Sequence, residues 1–122
     1  MMEQDQDDRN PPPSSEVEQA IMACVNELRE SPTRWSSVAA MAAHYHYSAD
    51  HFSRAFKQRL GLSPAQFLIE VRLEHARNLL RYTNLSASQI AQELGFADPA
   101  YFSRVFTRHH RISPGAWRRQ GG

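Results

Sequence analysis

Apolar positions recur along this chain at the three- and four-residue spacing of helices that bury one face. Val17, Ile21, Cys24, Val25 and Leu28 mark the first stretch, which ends near Ser31-Pro32 because proline disfavours helix in the residue before it. Ser36-Ser37 then offers an N-cap, and Val38, Met41 and Ala42 carry a short apolar stripe to about His44. Ser48 caps the next helix. Counted at about 100° per residue from Phe52, Phe56 and Leu60 lie at about 40° and 80°, whereas Asp50, Arg54 and Lys57 gather between about 140° and 200°. One face is core and the opposite face is polar.

Ser63-Pro64-Ala65-Gln66 spells a capping box with proline at the first helical position. It predicts a long helix to about Tyr82, with Phe67, Leu68, Val71, His75, Leu79 and Tyr82 on or near the buried side. A second box, Ser86-Ala87-Ser88-Gln89, opens a helix that points Ile90, Ala91 and Leu94 at the core and ends at Gly95 in a left-handed turn. From about Pro99 to His109 the pattern buries Phe102, Val105 and Phe106 and exposes Ala100, Ser103, Arg104 and Thr107. Ser113-Pro114 starts a last short helix containing Trp117, after which Arg118 to Gly122 trails away. No stretch alternates with the period of a strand, so the fold is expected to be all-α.

Two of these helices carry nearly the same word. Phe52-Ser53-Arg54-Ala55-Phe56 returns as Phe102-Ser103-Arg104-Val105-Phe106, and Leu62-Ser63-Pro64 returns as Ile112-Ser113-Pro114 at the same offset. Each unit reads as a short helix, a turn and a second helix with one buried and one polar face, the pattern of a helix-turn-helix. The aromatic residues Trp35, Phe52, Phe56, Phe102, Phe106 and Trp117 are assigned to core packing by their spacing. Arg54 and Arg104 point away from it.

Charge sharpens this picture. The formal net charge is only +1, but residues 1–30 hold eight acids and two arginines, while the rest holds twelve Lys/Arg, five acids and all six histidines. A body so basic favours a polyanion, although charge alone would equally fit a membrane surface or an acidic protein. Residues 1–15, rich in Asp, Gln, Pro and Ser, have too little apolar surface to order themselves and read as a disordered tail or linker. No apolar run approaches the roughly 18 residues of a membrane span, and the acidic start is not a secretory signal. The lone Cys24 reads as a small buried residue, which fits a reducing cytoplasm. His44, His46, His51, His109 and His110 do not compose a ligand set, so neither metal nor cofactor is expected. No nucleophile–base order, paired carboxylates or phosphate loop points to an enzyme.

Gln89-Ile90-Ala91, Leu94-Gly95-Phe96, Tyr101-Phe102-Ser103-Arg104-Val105-Phe106 and Ile112-Ser113-Pro114, together with the first repeat and Arg72-Leu73-Glu74-His75-Ala76-Arg77-Asn78-Leu79-Leu80, resemble the AraC/XylS family of bacterial transcription regulators over roughly residues 17–119. The resemblance implies seven helices and two homeodomain-like helix-turn-helix subdomains, at about 36–60 and 87–109, joined by a central helix at about 64–82 within a domain at 16–120. It implies a protein that binds double-stranded promoter DNA, usually as an activator, with RNA polymerase as a further partner. Members commonly add an effector-binding and dimerisation domain, so the chain is expected to be either a stand-alone short regulator or a fragment beginning in the interdomain linker, the acidic Pro-rich start favouring the fragment; the chain as it stands is expected to be a monomer unless such a domain is present.

Carried over residue by residue, the resemblance offers Asp50, Ser53, Arg54 and Lys57 to DNA from the first recognition helix, and Ala100, Ser103, Arg104 and Thr107 from the second. Arg108, Arg111 and Ser48 are candidates for phosphate. Arginine can donate twice to guanine O6 and N7, Asp50 can accept from cytosine N4, and Ala100 can touch only a thymine methyl. The copies are unequal, so two different half-sites are expected. Arg111 stands where the first repeat has Gly61, and His46 where the second has Gly95; a left-handed Arg111 would cost about 1 kcal/mol. A different class of function also fits the composition: a helical interaction module docking an acidic partner, which would show no DNA sequence preference.

Overall fold

The computed structural model describes residues 15–121, in which there are seven helices and no strand. The predicted tail at 1–15, apart from Ser15, lies outside the described residues. Helix α1 spans Glu16–Glu30, α2 Val38–His44, α3 Ala49–Leu60, α4 Pro64–Tyr82, α5 Ala87–Glu93, α6 Pro99–His110 and α7 Pro114–Gly121. No helix among the described residues is long and apolar enough to cross a membrane.

Local chemistry sets these ends. Ser37 and Ser48 cap α2 and α3 by accepting from the N–H groups of Ala40 and His51. Both capping boxes close: the Ser63 and Ser86 hydroxyls accept from Gln66 and Gln89 N–H, and those glutamine side chains accept from the serine N–H groups in return. Gly61 ends α3 at φ 85° and Arg111 ends α6 at φ 66°, so the turn keeps its left-handed shape without glycine. His46, in the turn between α2 and α3, also has a positive φ of 70°, matching Gly95 at 81° in the turn between α5 and α6.

Two cores form. The first holds Ile21, Cys24, Val25 and Leu28 of α1, Trp35, Met41, Ala42, and Phe52 and Phe56 of α3. The second holds Ile90, Ala91 and Leu94 of the α5 unit with Phe102 and Phe106 of α6. Helix α4 belongs to both, giving Phe67, Leu68 and Val71 to the first and Leu73, Ala76 and Leu80 to the second. Phe56 meets Phe67 edge-on at 5.7 Å, and Phe106 meets Trp117 at 6.5 Å, so each repeated phenylalanine pair ties its helix to a neighbour.

Three sequence expectations change. Tyr82 is 76% exposed, because α4 has by then run past the second core. Val105 and Trp117 are half-buried; Trp117 lies against the rim of the second core with the Arg77 and Arg81 guanidinium groups over its ring at 5.5 and 4.9 Å. Finally, Arg118 does not trail away. Its Nε donates to Leu80 O at 2.8 Å and its Nη2 to Thr83 O and Leu85 O at 3.1 and 2.6 Å. Helix α4 ends without a glycine, so these carbonyls need a donor from elsewhere in the chain.

Candidate nucleic-acid interface

The buried phenylalanines fix which side of α3 and α6 meets water. With Phe52 and Phe56 facing inward, Asp50, Arg54 and Lys57 are exposed and Ser53 is half-buried at the edge of the outward face. Arg54 Nη2 lies 3.0 Å from Asp50 Oδ2, an exposed i,i+4 ion pair. On α6, Ala100, Arg104 and Thr107 are exposed and Ser103 is half-buried in the corresponding place. Among the described residues no carboxylate pairs with Arg104; its guanidinium sits over the Tyr101 ring, 5.7 Å from the centroid. The structure therefore brings each predicted quartet onto one face, but holds the two arginines by different chemistry.

The phosphate candidates divide. Arg108 joins Ser103, Arg104 and Thr107 around one shallow surface hollow, extending the second face by a positive charge. Arg108 and Arg111 also line an open cleft in which α6 faces Gly61 and Leu62, after α3, across Gln66 and Ile69 of α4. Ser48 is already committed as a cap, its oxygen accepting from His51 N–H, which leaves the hydroxyl proton free to donate at the N-terminus of α3.

Beneath these faces lie Cys24, buried as its sequence context suggests, and two groups whose surroundings the pattern of the sequence did not reveal. Arg72 donates from Nε to Pro32 O at 3.1 Å and from Nη1 to Gly95 O at 3.4 Å, and burial lowers its pKa from the ordinary arginine value. His110, at the end of α6, lies 4.5 Å from the Phe106 ring with its Nε2 buried and unpartnered. Burial, then His109 and Arg77, lowers the His110 pKa, while Glu74 and the Leu73 backbone oppose the shift. Cys24 is fully buried and its thiol is pushed up to about 12, chiefly by burial and secondarily by Glu27, so it is chemically quiet.

Two helix pairs, each with a capped first helix, a left-handed turn and an outward polar face, define a tandem helix-turn-helix protein. Its particular family follows from comparison with known proteins. Residues 41–120 match the helix-turn-helix domain family, and the chain belongs to the AraC/XylS family, whose C-terminal DNA-binding domain it carries. It is 32% identical to the HTH-type transcriptional activator RhaR of Cronobacter sakazakii over 111 residues, covering 91% of this chain and 38% of that protein. A transcriptional regulator of Chromobacterium violaceum with an AraC-type DNA-binding domain superposes with a TM-score of 0.76 at 30% identity, covering 85% of this chain and 93% of the other. The DNA-binding domain of AdpA, solved in complex with a target DNA, superposes with a TM-score of 0.71 at 27% identity, covering 88% and 93%. These are DNA-binding transcription regulators, not enzymes. The chain spans under two fifths of the length of the curated relatives it matches.

Proposed function

We propose that this chain binds double-stranded promoter DNA, placing α3 and α6 in successive major grooves, and regulates transcription as an activator acting with RNA polymerase. The observation that carries the reading is the duplicated Ser-Arg pair, Ser53-Arg54 and Ser103-Arg104, held on outward faces by buried phenylalanines. Helix α4 has 19 residues, or about 28 Å of rod, and successive major-groove entries on one side of B-DNA lie about 34 Å apart. A single chain can therefore present two reading helices where many helix-turn-helix proteins need a dimer.

In this reading Arg54 and Arg104 donate to guanine, Ser53, Ser103 and Thr107 meet either base type, and Asp50 accepts from cytosine or steadies Arg54. Ala100 reads a methyl at most. Lys57, Arg108, Arg111 and Ser48 serve phosphates, positioning the protein without selecting sequence. The AdpA domain's complex with DNA supports the partner, and the activator name of the RhaR relative supports the sign. The protein works in the cytoplasm, at the nucleoid.

Selection of bound sites from a random DNA pool, followed by gel-shift titration at several salt concentrations, tests this. Selected sites are expected to bind about 10³-fold or more tighter than random DNA. Equal affinity for both at every salt concentration would sink the reading.

A further inference from the structure

Arg72 stands at the midpoint of α4 between Val71, buried in the first core, and Leu73, buried in the second. It is half-buried, and its guanidinium bridges two places far apart in sequence: the Pro32 carbonyl in the α1–α2 connection and the Gly95 carbonyl in the turn between α5 and α6. Among the described residues it is the one side chain whose hydrogen bonds reach both the α1–α3 half and the α5–α7 half. On the second side the guanidinium lies beside the Gly95 backbone, where an added Cβ would meet Arg72 Cζ and Nη1 at an ordinary contact distance of 3.4 Å.

This contact matters because the halves have little else in common. The principal helix packings join α1, α2 and α3 to each other or to α4, and α5, α6 and α7 to each other or to α4; none joins the halves directly. A single helix flexes along its length. A planar fork donating to carbonyls on both sides of that helix resists the motion that would swing one half against the other. A solvated arginine would lose nothing by pointing into water, whereas this half-buried one exchanges part of its hydration for the two carbonyls.

We propose that Arg72 is a positioning residue that fixes the orientation of the α5–α6 pair relative to the α2–α3 pair, and so the spacing of half-sites the protein accepts. The inference rests on the reading that α3 and α6 both enter DNA. One added base pair moves the second half-site by about 3.4 Å and turns it by about 35°, so a rigid pair of helices must reject it and a loose pair need not. Loosening also spreads α6 over more orientations, lowering its effective concentration at its own half-site once α3 is bound.

Arg72→Ala and Arg72→Lys test the proposal, the lysine keeping the charge but reaching only one carbonyl at a time. Spin labels are placed at Met22→Cys on α1 and Ser88→Cys on α5, both exposed, while the fully buried Cys24 escapes labelling. Without DNA, pulsed dipolar spectroscopy is expected to give one narrow distance in the parent and a broader distribution in both variants, each checked as folded by circular dichroism. On the selected site both variants should bind about tenfold more weakly, with a smaller added penalty than the parent shows for a one-base-pair insertion between half-sites. Distributions as narrow as the parent's, or an insertion penalty unchanged in both variants, would overturn it. The label measurement contains no DNA, so its outcome stands apart from the test of DNA binding.

Discussion

The Asp50 carboxylate holds the Arg54 guanidinium at 3.0 Å, one turn apart on the outward face of α3, with side chains 82% and 74% exposed. The equivalent arginine of α6 has Ala100 one turn back and leans on Tyr101 instead. An exposed pair of this kind adds only about 0.3–0.5 kcal/mol to the helix, so its main effect is on where Arg54 points. Arg54→Ala and Arg104→Ala should each cost about 1–3 kcal/mol at a cognate site and relax discrimination at one base.

Asp50→Ala separates orientation from charge. If this face meets DNA as proposed, removing an acid from it should strengthen binding to all sequences, while the freed Arg54 discriminates less at its base. Gel-shift titrations on the selected site and a random duplex read both changes. Unaltered discrimination would show that Asp50 does not guide Arg54.

Arg118→Ala should lower stability by about 1–3 kcal/mol, because the Leu80 carbonyl in the last turn of α4 and the Thr83 and Leu85 carbonyls in the connection after it lose their donor. Thermal melting measures it. A phosphate-contacting arginine would behave in the opposite way, leaving the melting midpoint unchanged and weakening DNA binding.

The left-handed turn positions give a matched pair of substitutions. His46→Gly relieves a positive φ at some cost in unfolded-chain entropy, and a net gain of about 0.5 kcal/mol is expected. Gly95→Ala should lose about 1 kcal/mol, since the new Cβ suffers the strain of the positive φ while meeting Arg72 only at an ordinary contact distance of 3.4 Å. Urea denaturation of both variants checks the signs.

His110 predicts a pH dependence. Its folded pKa lies below the unfolded value of about 6.5, so between the two the unfolded chain binds more protons and stability rises with pH. Its contribution is complete above about pH 6.5 and is lost as pH falls through that value toward the folded pKa, then levels off. His110→Phe should flatten that part of the melting-midpoint profile between about pH 8 and about pH 5. An equally steep profile in the variant would assign the slope to other groups.

Much of this architecture was legible because local rules and core packing agree in it. The serine caps, both glutamine boxes and the phenylalanine pairs are short-range signals, and they determine which face of α3 and α6 is left for a ligand. Arg72, Arg118 and His110 were not legible, for a common reason. Each is defined by partners distant in sequence, as in the 40-residue separation of Arg72 from Pro32 and the 38 of Arg118 from Leu80. Periodicity marks an arginine as polar without saying whether its fork meets water or a carbonyl. Tyr82 failed differently: the helical period continues past the end of the core it was expected to join.

The division of α4 between two cores bears on how the chain could be cut. A fragment ending near Tyr82 would keep a complete first core but expose Leu73, Ala76 and Leu80 as an uncovered apolar strip. A fragment beginning at Ala87 would lack the wall on which Ile90, Phe102 and Phe106 close. Either piece invites aggregation or proteolysis at the surface the cut lays open. The repeat can be read twice along the sequence, yet no bond in the backbone divides it into two soluble proteins.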